Sequence, residues 1–246
     1  QATGRRVRTF IDDVLVFDVT DARLIGGMVG LYSGADCRTY FDDVFVRSHK
    51  WFEDRFTNGG RTAWSTMGGE WKRVPLGASS EQAGHSASTD ETTVPAGVLT
   101  VRTPEGEARA AVGGESWKNY VLETEIHPPA ASPSAAVGTS RAGVLLCYQD
   151  ETRYYQASFA PAADGKETWT LERVLDGKRE TLDEKTIPAR AGSRKVRASV
   201  KDGYLSVRVG GERVLEAFDT SLTSGRGGLF AADARLVSFG PVRLDW

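Results

Sequence analysis

The chain has 246 residues, 40% hydrophobic and 26% charged, with 31 Lys and Arg against 33 Asp and Glu for a net charge of −2. This is the composition of an ordinary globular protein, long enough for one large or two ordinary domains. The near balance of charge gives no electrostatic ground for a nucleic-acid partner, and no run approaches the ~18 apolar residues that membrane insertion needs.

Strand signals dominate from the start. Residues 7–12, 14–19, 28–33 and 40–47 are short runs rich in Val, Phe, Tyr and Ile, separated by Asp and Gly turns. Gln1 to Arg8 is polar and lacks the apolar run of a signal peptide. The Asp12-Asp13 step reads as a two-residue hairpin, and Gly210-Gly211 reads as another, since φ > 0 costs glycine nothing. Residues 51–71 alternate aromatic and polar with two Gly-Gly steps and predict an irregular opening segment with short strands. The small polar run 78–93 predicts a loop. Strands are expected at 98–102, 108–112 and 119–126, and the Pro-rich stretch 127–139 must be a loop because proline cannot donate to a ladder. Further strands are expected at 142–149, 154–160, 169–175, 195–201, 204–209 and 213–218, with a polar stretch running to Ile187. No window sustains an apolar 3.6 period, so little helix is expected. About a dozen short strands joined by such turns predict an all-β, antiparallel two-sheet sandwich.

The closing segment 225–246, GRGGLFAADARLVSFGPVRLDW, has a counterpart at 27–48, GMVGLYSGADCRTYFDDVFVRS. At a constant offset of 198, Gly30 meets Gly228, Leu31 meets Leu229, Tyr32 meets Phe230, Phe41 meets Phe239 and Val44 meets Val242. A self-match at long period fixes architecture before any residue is interpreted. Residues 1–48 therefore read as the C-terminal strands of one copy and 49–246 as a complete second copy. Three or four strands cannot bury a sandwich core alone. The first part thus requires an upstream repeat or a partner chain to complete it.

In order, the second copy reads FEDRFTNGG, WKNYVLETEI, AGVLLCYQDETRYYQASF, KVRASVKDGYLSVRVGGERVLEAFD and GRGGLFAAD. This series resembles the concanavalin A-like, laminin-G-like jelly rolls of bacterial extracellular repeat proteins and of 3-keto-disaccharide hydrolase-associated domains. The resemblance implies a jelly-roll sandwich and an extracellular or cell-surface setting. It leaves function open, because that sandwich hosts lectins, glycosidases and adhesion modules. Phe41-Asp42-Asp43-Val44 keeps the family ending, whereas the second copy has Phe239-Gly240-Pro241-Val242.

Sugar binding needs aromatic faces with nearby polar groups to fix hydroxyls. The densest such cluster is Tyr148, Gln149, Arg153, Tyr154, Tyr155 and Gln156, with Trp169 and Arg173 on the next strand. Tyr148, Arg153, Tyr155, Trp169 and Arg173 are the candidate ligand-binding residues. Adjacent Tyr154 and Tyr155 must face opposite sides of their sheet, so only one of them can line a given face. Trp64, Trp71 and Trp117 are expected in the packing. Lectin-like jelly rolls often hold calcium through carboxylates, which makes Asp42 and Asp43 the candidate metal ligands and calcium the candidate cofactor. Turns favour Asp for backbone hydrogen bonding alone, which is the competing explanation.

Catalysis has weaker support. Glu123 and Glu125 share a strand face, but a solvated outer face explains them, and the Glu-x-Asp-x-(x)-Glu pattern of laminarinase-like enzymes is absent. His49, His85 and His127 have no ordered partners in sequence, and Cys37 and Cys147 have no ligand spacing. The expected function is therefore a non-catalytic binding module, for carbohydrate first. The alternatives are a structural or adhesion repeat that binds another protein chain, and a glycosidase-like enzyme. The first calls for an exposed aromatic beside convergent polar groups on one sheet face, and the third for two carboxylates ~5–10 Å apart.

Overall fold

The computed structural model describes residues 2–3, 6–11, 14–20, 32–34, 40, 51–56, 64–75, 97–128, 140–162 and 165–246. The chain divides into two compact units, Gln1–Lys50 and Trp51–Trp246. In the first, β1 (Ala2–Thr3), β2 (Arg6–Ile11) and β3 (Val14–Thr20) form an antiparallel sheet in chain order. Ile11 opposes Val14, so only two residues separate the paired strand ends. Phe17 and Val19 are 61% and 57% exposed. Cys37, Asp42 and Asp43, and most of the copy at 27–48, lie outside the described residues.

The second unit holds β4 (Trp51–Asp54), β5 (Ser65–Met67), β6 (Glu70–Pro75), β7 (Gly97–Val112), β8 (Tyr120–His127), β9 (Arg141–Asp150) and β10 (Arg153–Ala162). These are followed by β11 (Lys166–Leu175), β12 (Lys178–Pro188), β13 (Arg194–Lys201), β14 (Tyr204–Val209), β15 (Glu212–Phe218), β16 (Arg226–Phe239) and β17 (Val242–Asp245). All pairings are antiparallel, and the described residues contain no helix.

One layer runs β12-β11-β10-β9-β16-β7-β5, and the other runs β15-β14-β13-β8-β16-β7-β6, with β17 and then β4 beside the first half of β8. Both layers share β16 and β7. Residues 228–232 of β16 pair with β9, whereas Ser238 and Phe239 pair with His127 and Ile126 of β8. The crossing from layer to layer falls at the register shifts around Ala234. There Asp233 (φ 47) and Gly106 (φ 79) are left-handed, and the Gly106 N–H donates to Asp233 Oδ1 at 2.9 Å. Such irregularities bend paired strands without breaking the ladder. The 98–102 and 108–112 strands expected from sequence are thus one long strand that passes through both layers.

The core lies between the layers. Val144, Leu146, Tyr155, Trp169, Leu171 and Leu229 of the first meet Leu122, Ile126, Val196, Leu205, Val207, Leu215 and Phe239 of the second, all buried. In β8 and β13 buried and more exposed residues alternate along the strand, as a sheet with one wet face requires. Trp64, Trp71 and Trp117 pack against this core as expected. Gly210 and Gly211 (φ 59 and 89) form the two-residue turn between Val209 and Glu212. The polar 178–188 stretch, not expected as a strand, forms β12 at the sheet edge, where charged side chains suit a strand with one unpaired side.

Asp54 ties β4 into the sandwich. It accepts hydrogen bonds from the Phe56 N–H (2.8 Å), Trp64 Nε1 (2.8 Å) and Arg73 Nη2 (2.8 Å). Burial alone would raise its pKa, but these donors outweigh burial and hold it below the usual carboxylate value.

Strand β9 differs from β8 in being buried on both sides from Ala142 to Tyr148. Its Gly143 sits so close to β10 that a Cβ would lie 2.0 Å from the Ala157 carbonyl oxygen. Gly143→Ala is expected to cost about 1–3 kcal/mol through the forced backbone shift. Urea unfolding would show this as a lower midpoint at constant slope.

Candidate functional site

The far side of the first layer, away from the core, carries its own buried cluster: Ala111, Leu145, Tyr148, Tyr154, Val174, Phe230 and Ala232. Leu145 and Tyr148 join it although they are three residues apart. The reason is a bulge at Cys147 (φ 49), with register shifts against both neighbouring strands. Leu146 and Cys147 stay on the core side. The Cys147 N–H donates to Tyr120 Oη (2.7 Å), which in turn donates to the Arg226 carbonyl (3.0 Å), so the irregular backbone is satisfied. Gly225 lies against the bulge, where a Cβ would come within 2.4 Å of the Cys147 carbonyl carbon. Burial pushes the Cys147 thiol up to about 12, which makes it an inert packing group.

Charged and polar groups converge over this cluster. Glu107 and Arg109 come from β7, Arg141 from β9, Gln156 from β10, Glu172 from β11 and Arg179 from β12. Period-2 alternation and cross-strand register put them on one face: Ala232 opposes both Glu107 and Arg141, Gln156 opposes Glu172, and Val174 opposes Arg179. Glu107 pairs with Arg109, with Arg141 at 3.2 Å and with Arg179 at 2.8 Å. Glu172 pairs with Arg179 at 2.7 Å and with Arg141 at 3.6 Å, and it accepts from Gln156 Nε2 at 3.2 Å. Burial works against the Arg179 charge, yet Glu172 and Glu107 beside it more than compensate and raise its pKa.

Two features of this face go beyond the ion pairs. Gln156 is fully buried, and its Oε1 has no hydrogen-bond partner, nor does the buried Nε of Arg109. The Gln156 amide cannot simply be turned over, because that would set its oxygen against the Glu172 carboxylate. The other feature is where the guanidinium planes lie: Arg109 over the Tyr154 ring (5.1 Å) and Arg141 over the Phe230 ring (5.5 Å). The aromatic rings underlie the charged groups instead of facing solvent.

The residues expected from sequence separate onto different surfaces. Tyr148 is on this face but only 3% exposed, with its hydroxyl 3.6 Å from Met67 Sδ, so its assignment to ligand contact is corrected: it packs beneath the face. Tyr155 and Trp169 are on the opposite face and fully buried in the core, so their assignment to ligand binding is corrected: neither can touch a ligand at the sheet surface. Arg173 shares that parity and reaches the end of the sandwich, binding Asp219 (2.5 Å), Ser221 (2.8 Å) and Glu180 (2.5 Å). Tyr155 Oη donates to Asp219 Oδ1 at 2.6 Å and accepts from the Leu222 N–H at 3.1 Å. These two residues therefore pin the segment that leads into β16. Arg153 opens β10 at the β9–β10 turn, where it pairs with Asp176 of the neighbouring β11–β12 turn at 3.0 Å.

Other candidates are weaker. Glu123 and Glu125 point outward on the second layer, where Glu123 pairs with Arg197 and Glu125 accepts from Ser193. They line a shallow cavity of about 490 Å³. A cavity of about 570 Å³ at the sandwich end is walled by Phe159, Pro161 and Ala162, but its buried charges, Glu167 and Arg194, already satisfy each other at 2.7 Å. Among the described residues no group of three or more His, Cys, Asp or Glu is placed to hold a metal ion. No helix among them is long and apolar enough to cross a membrane.

Fold and face together define an antiparallel two-layer β-sandwich with a charged, half-buried polar network on one sheet. No protein-family model matches the chain, and no curated protein matches it in sequence. Among solved structures it is similar to the carbohydrate-binding module CBM66 from Bacillus subtilis, with a TM-score of 0.52 and 16% identity over 73% of this chain and 92% of that one. It is also similar to the CBM2 module of the evolved Dit of Lactobacillus casei BL23 phage J-1 (TM-score 0.47, 11% identity, 80% and 96% covered). A third is LamAcat from Zobellia galactanivorans (TM-score 0.46, 10% identity, 79% and 96% covered). At such identities the likeness to the Bacillus module speaks for the fold.

Proposed function

We propose that the Trp51–Trp246 unit is a non-catalytic carbohydrate-binding module that uses the outer face of its first layer, within a larger secreted or surface-exposed protein. The observation that carries this reading is the convergence on one face of Glu107, Arg141 and Arg179, which keep 26%, 31% and 31% exposure, over the more deeply set Arg109, Gln156 and Glu172. A saccharide hydroxyl both donates and accepts, which is the complement of such a mixed set. The sandwich of a carbohydrate-binding module has the same fold, which supports the reading without specifying the ligand. Glu107 and Glu172 are joined through the same two guanidinium groups, Arg141 and Arg179. That arrangement suits recognition better than the opposed acid and base of glycoside hydrolysis. Within the same proposal, residues 1–48 are the closing strands of a preceding copy.

Titration against a glycan panel tests the reading. Arg179→Ala is expected to weaken binding at least roughly tenfold, the scale of one lost charge-assisted hydrogen bond. Arg197→Ala, on the other layer, leaves it unchanged. Equal loss in both variants, or no glycan bound by the unaltered chain, would remove the proposal.

A further inference from the structure

We infer that the saccharide recognised by this face is acidic, carrying a carboxylate on a uronic acid residue that Arg141 and Arg179 receive. The inference rests on the carbohydrate-binding reading and narrows its ligand class.

The charge count of the network is uneven. Three guanidinium groups share two carboxylates: Glu107 serves all three arginines, and Glu172 serves Arg141 and Arg179. One positive charge is left over in a half-buried setting, where the effective dielectric is lower than that of water and charge imbalance is felt more strongly. Further along the same face, Glu184 opposite Thr170 and Lys166 at the start of β11 offset each other. The chain as a whole is net −2, and Asp150 and Glu151 stand close to Tyr148 at the border of the face, so the positive excess is local to the network of Glu107, Glu172 and the three arginines.

The geometry also says which arginines are available. Arg109 is turned inward, donating to Tyr154 Oη at 2.9 Å with its side chain 13% exposed. Arg141 and Arg179 keep 31% exposure each, and both bridge Glu107 to Glu172. A planar guanidinium fork matches a carboxylate in a bidentate pair, which fixes orientation as well as affinity. A neutral sugar lacks the usual alternative here, because guanidinium groups already cover the rings of Tyr154 and Phe230. What the surface offers a ligand is charge and directed donors, with little bare aromatic area.

The test uses a short oligogalacturonide and its fully methyl-esterified form, titrated calorimetrically into the intact chain at physiological salt, alongside a panel of neutral oligosaccharides. The free acid is expected to bind, with esterification weakening it roughly ten- to a hundredfold, the range for one hydrogen-bonded charge. Arg141→Gln and Arg179→Gln are expected to lose affinity for the acid while retaining the little affinity left for the ester; Arg197→Gln should match the unaltered chain. Each variant's melting temperature is followed, so that a folding defect is separated from a binding defect. Neutral glycans bound as tightly as the acid, with loss in the Arg141 and Arg179 variants, would overturn the acidic ligand and leave the carbohydrate reading standing. Acid binding that survives both substitutions would overturn the inference too, as diffuse polyanion attraction. Silence across the acid, the ester and the neutral panel would overturn both.

Discussion

Trp169→Ala is expected to lower the stability of the Trp51–Trp246 unit by about 3–5 kcal/mol, the usual cost of truncating a large buried aromatic. Trp169 is fully buried, stacks on Phe159 with ring centroids 4.9 Å apart, and donates from Nε1 to Glu167 Oε1 at 2.9 Å. Its removal empties a volume between the layers and strands a buried acceptor. A tryptophan that served as a sugar platform would behave the other way round, losing affinity with stability intact. Chemical denaturation separates the two. A stability loss below about 1 kcal/mol accompanied by loss of glycan binding would return Trp169 to the ligand site. Trp169→Phe keeps the ring packing but not the Nε1 donor, so its cost should fall between those of the unaltered chain and the alanine variant.

The contrast between Trp169 and Glu172 shows what the sequence makes legible. Strands and hairpins are local: the alternation in 120–126 and the Gly210-Gly211 turn carry their own instructions, and the structure follows them. Strand β12 was hidden because a polar edge strand has no apolar period to read. The face of the site is not local. Its residues come from β7, β9, β10, β11 and β12, and only the order β12-β11-β10-β9-β16-β7, which departs from chain order at β16, brings them together. Of the aromatic cluster, Tyr148, Tyr154 and Gln156 belong to the face, and Tyr155, Trp169 and Arg173 to its reverse. Strand parity already divides Tyr154 from Tyr155. Parity alone misplaces Tyr148, because the bulge at Cys147 inserts one residue and turns Tyr148 outward. A usable signal for the missed charges was present nonetheless. Glu107 and Arg109 alternate with Ala108 and Ala110 in a segment, 107–112, that is otherwise apolar, and charges so placed need partners on the same face.

Glu167→Ala is expected to cost a further large amount, again about 3–5 kcal/mol, for a different reason. Glu167 is 1% exposed and accepts from Arg194 Nε (3.1 Å) and Nη2 (2.7 Å), while Arg194 itself lies over the Phe159 ring at 5.0 Å. Deleting the carboxylate leaves a buried guanidinium without its counter-charge and Trp169 Nε1 without its acceptor. Replacing both members, as in Glu167→Leu with Arg194→Met, removes the stranded charge, and such a swap commonly recovers most of the loss. The double variant should therefore be more stable than Glu167→Ala alone. If it is less stable, the pair contributes net attraction beyond its desolvation cost. Because Glu167 and Trp169 share a hydrogen bond, their alanine variants should not add: the double substitution is expected to fall short of the sum by about 0.5–3 kcal/mol. Additivity within ~0.5 kcal/mol would mean that the Nε1 bond contributes nothing to the fold.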